Sequence, residues 1–395
     1  MNRKVVIVAA ARTAIGKFNG AFAQTDAVAL TIPVMQNLIT RAGISPDSIE
    51  DVIWGCNYQK TYKENNLARV AAVKAGMPVT VPGVTIHRNC TSSMSAIQMG
   101  YYQIKSGEAH AIMAGGSDSM SNAQYTLEKV RSGLKIGHAE LRDSMWDSLT
   151  NLGIGPAMGI TAENLAEKYG IDRSAQDELA VQSHQRAISA IREGRFRDEI
   201  VPVEVMKKSS RRIIDTDEHP RPDTSRETLA GLKPSFAPDG TVTAGNASGI
   251  NDGAAGVLLM SEEKAAELGI QPLGTIIGTA TTGVDPDIMG IGPVSAIRNA
   301  LQRARLSLDA IQLIELNEAF AAQYLACEIE LGLNRDITNV NGSGISLGHP
   351  VGATGARITT TLLYEMKRRS VQYGVAALCA GGGMGTALVI ECDPS

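Results

Sequence analysis

The chain has 395 residues, of which 44% are hydrophobic and 4% aromatic, and its formal net charge at pH 7 is −4. This length allows two or three domains with substantial cores, while the absence of a basic excess argues against binding to nucleic acid. The sequence contains no run of about 18 apolar residues and no recognised targeting signal, so we expect a cytoplasmic protein without a membrane span.

The first predicted element is a β-strand within "MNRKVVIVAAARTAIG". Its short apolar core could pass for the hydrophobic part of a signal peptide, but it runs into Arg12 and Lys17 without a cleavage site, so a strand is the better interpretation. Next, "RAGISPDSIEDVIWG" (41–55) has the pattern of a helix end, an acidic turn and an apolar strand. Both segments are typical of an α/β protein.

A candidate nucleophile follows the strand "VPGVTI". Cys90 lies in "HRNCTSSMSAI", where a helical pattern begins, and the unpaired N–H groups of a helix N-terminus stabilise a thiolate. The other cysteines are Cys56, Cys327, Cys379 and Cys392. They are widely spread and form no CxxC pair, which fits neither a disulfide framework nor a zinc site, so we expect no metal.

Residues from about 121 to 249 differ in composition from the rest of the chain. They contain charged helical patterns and the polar, proline-containing stretch "KKSSRRIIDTDEHPRPDTSRE". We interpret them as an insertion that protrudes from the first half and could carry a binding surface. Within this segment, His184 is predicted to be exposed on an amphipathic helix, and His219 lies in the polar stretch.

The second half of the chain repeats the order of the first. "RARLSLDAIQLIELN" (303–317) matches residues 41–55 at a constant offset of 262, and "VAALCAGGGMG" (375–385) parallels "HAIMAGGSDSM" (110–120). Two α/β halves of like order predict duplication around a pseudo-twofold axis. The predicted units are an N-terminal half of residues 1–120 plus 250–272, a loop domain of residues 121–249, and a C-terminal half of residues 273–395.

Three further polar side chains lie at strand ends or turns of the second half. These are Asn317 in "ELNEAFA", His349 after the glycine-rich turn of "NGSGISLGHPVGATGAR", and Cys379 in "ALCAGGGMG". Ligand sites of α/β sheets form at strand ends, and glycine lets the backbone approach a ligand closely. Together with Cys90, these residues form a candidate catalytic group.

These motifs resemble the signatures of the thiolase family. The matching segments are "ARTAIGKFNG" (11–20), "AGGSDSMS" (114–121), "GNASGINDGAA" (245–255), "NEAFA" (317–321), "NGSGISLGHPVGATGAR" (341–357) and "CAGGGMG" (379–385). The resemblance covers essentially the whole chain in order and is strongest to the acetyl-CoA acetyltransferase branch. It implies the thiolase fold, in which duplicated α/β halves form a five-layered α-β-α-β-α core with an inserted loop domain, and a homodimer or homotetramer.

The resemblance implies a reversible Claisen condensation of two acetyl-CoA molecules to acetoacetyl-CoA and CoA. Cys90 would carry the acyl group, His349 would accept its proton, and Cys379 would exchange the α-proton. His349 and a water fixed by Asn317 would hold the enolate oxygen, and the N–H groups of Cys90 and Gly381 would hold the tetrahedral oxyanion. The coenzyme A thioester is the substrate, and no cofactor is implied.

The resemblance also implies the contacts to coenzyme A. Ser248 would contact the pantetheine amide, and Arg221 would lie near the adenine and its phosphates. The pantetheine and acyl slot would be lined by Leu149, Met158, Phe236, Met289 and Phe320.

The chain departs from the family pattern at two places near this slot. Ala157 stands where a His usually borders the pantetheine, and "CTSS" (90–93) replaces the usual "CGSG". The four chemical residues are present, so these departures put the acyl range in doubt more than the reaction.

Three alternatives stay open at this point. A degradative 3-oxoacyl-CoA thiolase would accept longer or branched chains, for which the small Ala157 leaves room. A relative of the ketosynthases or of hydroxymethylglutaryl-CoA synthase is disfavoured by Cys379, because those enzymes do not use a second thiol there. The last alternative is a catalytically idle scaffold that binds an acyl-CoA or a partner protein.

Overall fold

The computed structural model describes residues 3–59, 62–207 and 210–393. Its strands are β1 (Val5–Thr13), β2 (Gly16–Lys17), β3 (Asp51–Gly55), β4 (Gly83–Ile86), β5 (Ala111–Ser119), β6 (Tyr125–Leu127), β7 (Leu141–Asp143), β8 (Ile200–Val201), β9 (Val203–Lys207), β10 (Ser210–Ile214), β11 (Asn251–Ser261), β12 (Gly274–Gly283), β13 (Leu313–Leu316), β14 (Tyr373–Ala380) and β15 (Met384–Glu391).

The α-helices connect these strands. They are α1 (Ala27–Ala42), α2 (Leu67–Lys74), α3 (Ser92–Ser106), α4 (Ser144–Thr150), α5 (Met158–Tyr169), α6 (Arg173–Arg192), α7 (Arg226–Ala230), α8 (Glu262–Glu267), α9 (Gly292–Ala304), α10 (Ala321–Leu331), α11 (Gly344–Leu347) and α12 (Thr354–Arg369). None of the helices in the described part of the chain is long and apolar enough to cross a membrane.

The main sheet shows the duplication directly. Its strand order is β13-β14-β15-β12-β1-β11-β5-β3-β4. The series β12-β15-β14-β13 of the second half repeats the series β1-β11-β5-β3 of the first, with antiparallel, antiparallel and parallel pairing in both. The two series meet where β1 pairs with β12 over a short stretch, Val6 with Thr275 and Ile7 with Gly274.

Two helices occupy the centre of the molecule. α3 and α12 pack on each other and contact strands of both halves, whereas α1 covers the strands of the first half and α9 those of the second. Most of α12 is buried, including its threonines. The hydroxyls of Thr359 and Thr360 donate to carbonyls one turn back, both at 2.8 Å, and that of Thr361 donates to Glu199 at 3.1 Å. The order α1, sheet, α3 with α12, sheet, α9 forms the five layers expected from the sequence.

The inserted segment starts and ends in the first half and packs on both halves. α5 and α6 contact α10, and α6 contacts α11, because apolar residues of α5 and α6 such as Leu165 and Leu179 join the hydrophobic core of the second half. The segment also enters the main sheet, since β8 runs parallel to β1. The segment is thus inserted in the first half, as expected, but it is anchored on both halves.

A buried ion cluster attaches the segment to β1. The guanidinium of Arg12 donates to Glu199 at 2.6 Å and to both oxygens of Asp217, at 2.7 and 2.9 Å. All three side chains are buried. Removal of one partner would leave a buried charge uncompensated, so the cluster fixes the segment relative to the core.

Candidate active site

Cys90 lies in a tight turn between β4 and α3. The N–H groups of Thr91 and Ser92 donate to the carbonyls of Arg88 and Asn89, both at 3.1 Å, and Asn89 has a positive φ of 46°. The Ser92 hydroxyl closes the turn, because it accepts from the Arg88 N–H at 2.8 Å. Cys90 is partly exposed and therefore accessible to a substrate.

The residues that replace glycine in "CTSS" make specific contacts. The Thr91 hydroxyl donates to the Arg88 carbonyl at 2.9 Å and so reinforces the turn. The Ser93 hydroxyl accepts the N–H of Ala356, in the first turn of α12, at 2.9 Å. Both side chains are buried. This departure from the family pattern thus strengthens the turn and its link to the second half.

His349 is held by hydrogen bonds on two sides. Its N–H donates to Asn251 Oδ1 at 2.9 Å, and its Nδ1 lies 2.6 Å from the Thr354 hydroxyl. Because that hydroxyl donates to the Pro350 carbonyl at 2.8 Å, it accepts from the His349 Nδ1–H. The lone pair then resides on Nε2, which is buried and has no hydrogen-bond partner among the described residues.

Burial determines the charge of this imidazole. Loss of solvation, reinforced by the positive charge of Arg357, lowers the pKa of His349 to about 3. At neutral pH the ring is therefore uncharged, and Nε2 can accept a proton.

The two thiols come from opposite halves. Cys379 is fully buried at the end of β14. Burial raises its pKa well above the ordinary value, and a negative charge on Cys90 raises it further. The turn that follows Cys379 contacts the Cys90 turn directly, because Asn89 Nδ2 donates to the Gly381 carbonyl at 2.7 Å. The thiolase resemblance implied that the two thiols share one site.

Main-chain N–H groups surround the Cys90 sulfur. Burial raises the pKa of Cys90 to about 11, although the N–H groups of Gly381 and of Cys90 itself donate to the thiolate and lower it. The resting site thus holds a neutral thiol. The same two N–H groups are the predicted donors to the tetrahedral oxyanion.

Asn317 presents an unpaired amide group at the end of β13. Its Oδ1 accepts from Arg357 at 3.4 Å, which directs the Nδ2 group the other way. Nδ2 is buried and has no partner within the described residues. An amide fixed in this manner can donate to a water or to an oxyanion.

Two of the predicted acyl and pantetheine residues lie near the catalytic turns. Leu149 packs, as Cys90 does, on a cluster of Tyr58, Met120, Met145 and Val351, which we call the Tyr58 cluster. Met158 lies against Gly381, because a Cβ at Gly381 would lie 3.0 Å from the Met158 sulfur.

The remaining predicted contacts to pantetheine are Phe236, Phe320, Ser248, Ala157 and Met289. Phe236 and Phe320 pack edge to face with ring centroids 6.1 Å apart, and the Ser248 N–H donates to the Ala319 carbonyl at 2.9 Å. Ala157 is the N-cap residue of α5. Met289, by contrast, is only 2% exposed and belongs to the core of the second half, together with Phe320.

Arg221 lines a pocket next to Ser248. Its side chain is exposed, and the pocket is also lined by His184, His219 and the two neighbours of Ser248, Ala247 and Gly249. The Arg221 N–H donates to His184 Nδ1 at 3.1 Å. His184 is buried, so its predicted exposure is wrong: α6 is covered on that face by the polar stretch that follows it.

Comparison with known proteins identifies the family. The model of the thiolase N-terminal domain matches residues 5–263, and that of the thiolase C-terminal domain matches residues 270–392.

The chain belongs to the thiolase family.

Thiolases similar over their full length include an acetyl-CoA acetyltransferase of Pseudomonas aeruginosa, 50% identical over 98% of this chain and 99% of its own. A probable acetyl-CoA acyltransferase of Staphylococcus aureus is 47% identical over 98% and 99%. These matches confirm the fold and the enzyme class, acyltransferase, that were expected from the sequence.

Solved thiolase structures superpose closely on this chain. Acetyl-CoA acetyltransferase of Bacillus anthracis has a TM-score of 0.97 at 50% identity and covers 99% of this chain and 100% of its own. Human mitochondrial 3-ketoacyl-CoA thiolase in complex with CoA has a TM-score of 0.95 at 43% identity and covers 98% of each chain. The chain is thus similar in structure both to a protein named acetyl-CoA acetyltransferase and to one named 3-ketoacyl-CoA thiolase.

Sequence reasoning missed several residues at this thiolase site. Tyr58 packs in the cluster that Cys90 contacts. The internal repeat could have predicted this residue, because Tyr58 corresponds at the offset of 262 to Phe320, which was predicted to line the acyl slot. Thr354 and Asn251, which orient His349, were also missed, although they lie inside the quoted motifs of residues 341–357 and 245–255. The side-chain bond from Asn89 to the Gly381 carbonyl, 2.7 Å long, was also not foreseen.

Proposed function

We propose that this thiolase is an acetyl-CoA C-acetyltransferase, which reversibly condenses two acetyl-CoA molecules to acetoacetyl-CoA and CoA. The observation that carries the proposal is the bond from Asn89 to the Gly381 carbonyl, which joins the Cys90 turn of the first half to the turn that follows Cys379 in the second. The buried Nε2 of His349, unpaired among the described residues, supplies the proton acceptor that the proposal needs. The names of relatives such as those of Pseudomonas aeruginosa and Chromobacterium violaceum, 50% and 49% identical, support it.

The first half-reaction transfers an acetyl group to Cys90. His349 Nε2 accepts the thiol proton, and the thiolate attacks the thioester carbonyl carbon. The resulting oxyanion is held by the N–H groups of Cys90 and Gly381, each worth about 3 kcal/mol in the transition state. Collapse breaks the bond from carbon to the CoA sulfur, which leaves with the proton of Cys379.

The second half-reaction forms the carbon–carbon bond. The Cys379 thiolate removes an α-proton from a second acetyl-CoA, and the enolate oxygen is held by the Nε2–H of His349 and by Asn317 through a water. The enolate carbon attacks the acetyl group on Cys90. Cys90 then leaves as a thiolate and recovers its proton from His349, so that every group regains its initial state.

The same residues explain why the imidazole charge is transient. Because burial lowers the pKa of His349 to about 3, the protonated ring is stable only beside a thiolate or an oxyanion. The proposed cycle supplies such a partner at each stage at which the ring carries a second proton. The proposed chemistry uses protein groups and the coenzyme A thioester alone, without a further cofactor.

A second candidate function is degradative cleavage of longer or branched 3-oxoacyl-CoA substrates. It is favoured by the small side chain of Ala157 at the start of α5, beside Met158, and by the name of the human 3-ketoacyl-CoA thiolase, which is 43% identical. Both functions use the same catalytic residues, so they differ only in the width of the acyl slot.

A chain-length series separates these two functions. Thiolysis rates are measured with acetoacetyl-CoA and with 3-oxoacyl-CoA substrates of increasing length, for the native protein and for Ala157→His. The acetyl-specific proposal predicts a fall of at least about tenfold beyond the four-carbon substrate. Equal activity across the series would favour the degradative function, and Ala157→His should then restrict it to short chains.

A third possibility, an idle acyl-CoA-binding scaffold, is tested by the reactivity of Cys90. Iodoacetamide should label Cys90, and acetyl-CoA should block the labelling by forming the acyl-enzyme. Protection without acetyl transfer to the sulfur would instead favour a scaffold.

We further propose that the protein is a cytoplasmic homodimer or homotetramer with acyl-CoA ligands and without nucleic-acid or membrane partners. A second copy is supported by apolar side chains near the edge strand β4, where Val79 and Val84 are 75% and 40% exposed. An edge strand with exposed apolar residues favours pairing with another chain. Sedimentation equilibrium tests this, and a monomer at micromolar concentration would contradict it.

A further inference from the structure

We propose that Asn89 is a positioning residue, whose side chain holds the Gly381 turn of the second half against the Cys90 turn of the first. The inference rests on the proposed role of Cys90 as nucleophile. It concerns how the N–H group of Gly381 is kept in place, and no motif of the sequence pointed to it.

The contact joins the two catalytic turns directly. Asn89 Nδ2 donates to the Gly381 carbonyl oxygen at 2.7 Å, across 292 positions of sequence. The Gly381 N–H, on the other side of the same Cα, faces the Cys90 sulfur and lowers the pKa of that thiol. Asn89 thus holds the carbonyl of Gly381, while the N–H of the same residue faces Cys90.

A glycine at this place needs such a restraint. Gly381 is followed by Gly382 and Gly383, which have positive φ values of 86° and 81°. Glycine has the largest backbone freedom in the unfolded and mobile states, and fixing one residue requires about 1–2 kcal/mol. A donor that must meet an oxyanion within a few tenths of an ångström therefore benefits from an additional anchor.

Asn89 is itself held firmly enough to act as an anchor. Its carbonyl accepts from the Ser92 N–H at 3.1 Å and from the Ser92 hydroxyl at 2.7 Å. Its φ of 46° lies in the left-handed region, where asparagine is tolerated better than most residues. The residue type therefore suits both the turn and the bond to Gly381.

The test uses Asn89→Gly, which keeps the backbone conformation and removes only the amide group. The pH dependence of Cys90 alkylation by iodoacetamide is measured together with kcat and KM for acetoacetyl-CoA thiolysis. We expect the alkylation curve to move to higher pH, because the thiolate loses a well-placed donor. We expect kcat to fall by about tenfold with KM nearly unchanged, since the oxyanion exists only in the transition state.

The matched control is Asn19→Gly. Asn19 also has a positive φ, 55°, but its side chain is exposed and, among the described residues, has no hydrogen bond to either catalytic turn. This variant should keep the native alkylation curve and kcat. A second variant, Asn89→Asp, retains the size of the side chain but cannot donate when ionised and places a negative charge beside the thiolate. It should therefore reduce kcat more than Asn89→Gly does.

An unchanged alkylation curve and kcat in Asn89→Gly would overturn the inference, as would a rise in KM without any movement of the curve. Thermal unfolding checks that both variants fold, and loss of folding in both would also contradict a role confined to the two turns. The proposed function fails separately, if acetyl-CoA leaves no acetyl group on Cys90 of the native protein.

Discussion

Equivalent positions in the two halves differ in chemistry. At the repeat offset of 262, Cys90 corresponds to Gly352, and His349 corresponds to His87. His349 is buried with an unpaired Nε2, whereas His87 is exposed. The two halves thus have the same fold, and the burial of each residue between them determines which of two equivalent residues is reactive.

The packing at the junction explains why one copy is a glycine. The Gly352 N–H donates to Asp118 Oδ2 at 2.6 Å, and a Cβ at Gly352 would lie 2.8 Å from the same oxygen. A cysteine at position 352 would therefore disturb Asp118, which also accepts from the N–H groups of Asn57 and Tyr58. The asymmetry of the two halves follows from this close approach.

The strongest test of the asymmetry removes the nucleophile. Cys90→Ala should reduce kcat for thiolysis by at least about 10⁴-fold, because no other group can carry the acyl chain. Cys392→Ala changes another buried thiol, far along the chain near the end of β15, and should retain nearly full activity. Substantial activity in Cys90→Ala would show that the first half does not supply the nucleophile.

A smaller effect is expected at the end of β13. Asn317→Ala removes the unpaired Nδ2 group, and kcat should fall by about 10²–10³-fold, the range for loss of one oxyanion donor. Acylation of Cys90 should remain, because Asn317 serves only the enolate. Steady-state kinetics and acyl-enzyme formation by mass spectrometry measure the two steps separately, and an equal loss in both would contradict this division.

Much of the site could be predicted from the sequence, for a physical reason. Cys90, His349 and Asn317 lie at strand ends or helix starts, and the duplication aligns those positions across the molecule. The partners that orient them were not predicted: Thr354 lies five positions after His349, and Asn251 contacts it across 98 positions. A motif shows that such residues occur together but not which side chain bonds to which.

The fold shows the same limit. The strand order follows from the repeated motifs, and the fold class is confirmed. The contact of the inserted segment with the second half was not predicted, because it depends on Leu165 and Leu179 packing in the core of that half. Its attachment to the first half depends on the pairing of Arg12 with Glu199 and Asp217.

Asp118→Asn tests the contact between Asp118 and Gly352 through the stability of the protein rather than through its reaction rate. The amide that replaces the carboxylate would have one acceptor oxygen for the N–H groups that now face both carboxylate oxygens, so at least one buried donor would lose its partner. We expect the free energy of unfolding to fall by about 2–3 kcal/mol, measured by denaturant titration. Asp26→Asn is the control, because asparagine caps a helix as well as aspartate does, and a similar loss there would contradict the interpretation.

The last expected effect concerns the loop domain and is absent at neutral pH. Burial lowers the pKa of His184 to about 4, so between about pH 6.5 and 4 the unfolded chain binds a proton at this residue and the folded chain does not. The stability associated with His184 is thus fully present above that window and lost as the pH falls, by about 1.4 kcal/mol per pH unit.

His184→Gln should remove this contribution. Denaturant titrations at several pH values should show that the free energy of unfolding of the variant rises relative to that of the native protein as the pH falls from about 6.5 to 4. His138→Gln, at an exposed position, should keep the native pH dependence. Parallel curves for His184→Gln and the native protein would show that His184 is accessible to protons in the folded state.

The division of labour between the two thiols is tested most directly by mixing Cys379→Ala with acetyl-CoA and analysing the quenched protein by peptide mass spectrometry. The two-thiol mechanism predicts one acetyl group, on Cys90, together with released CoA and no acetoacetyl-CoA. Formation of acetoacetyl-CoA by this variant, or an acetyl group on any other residue, would contradict it.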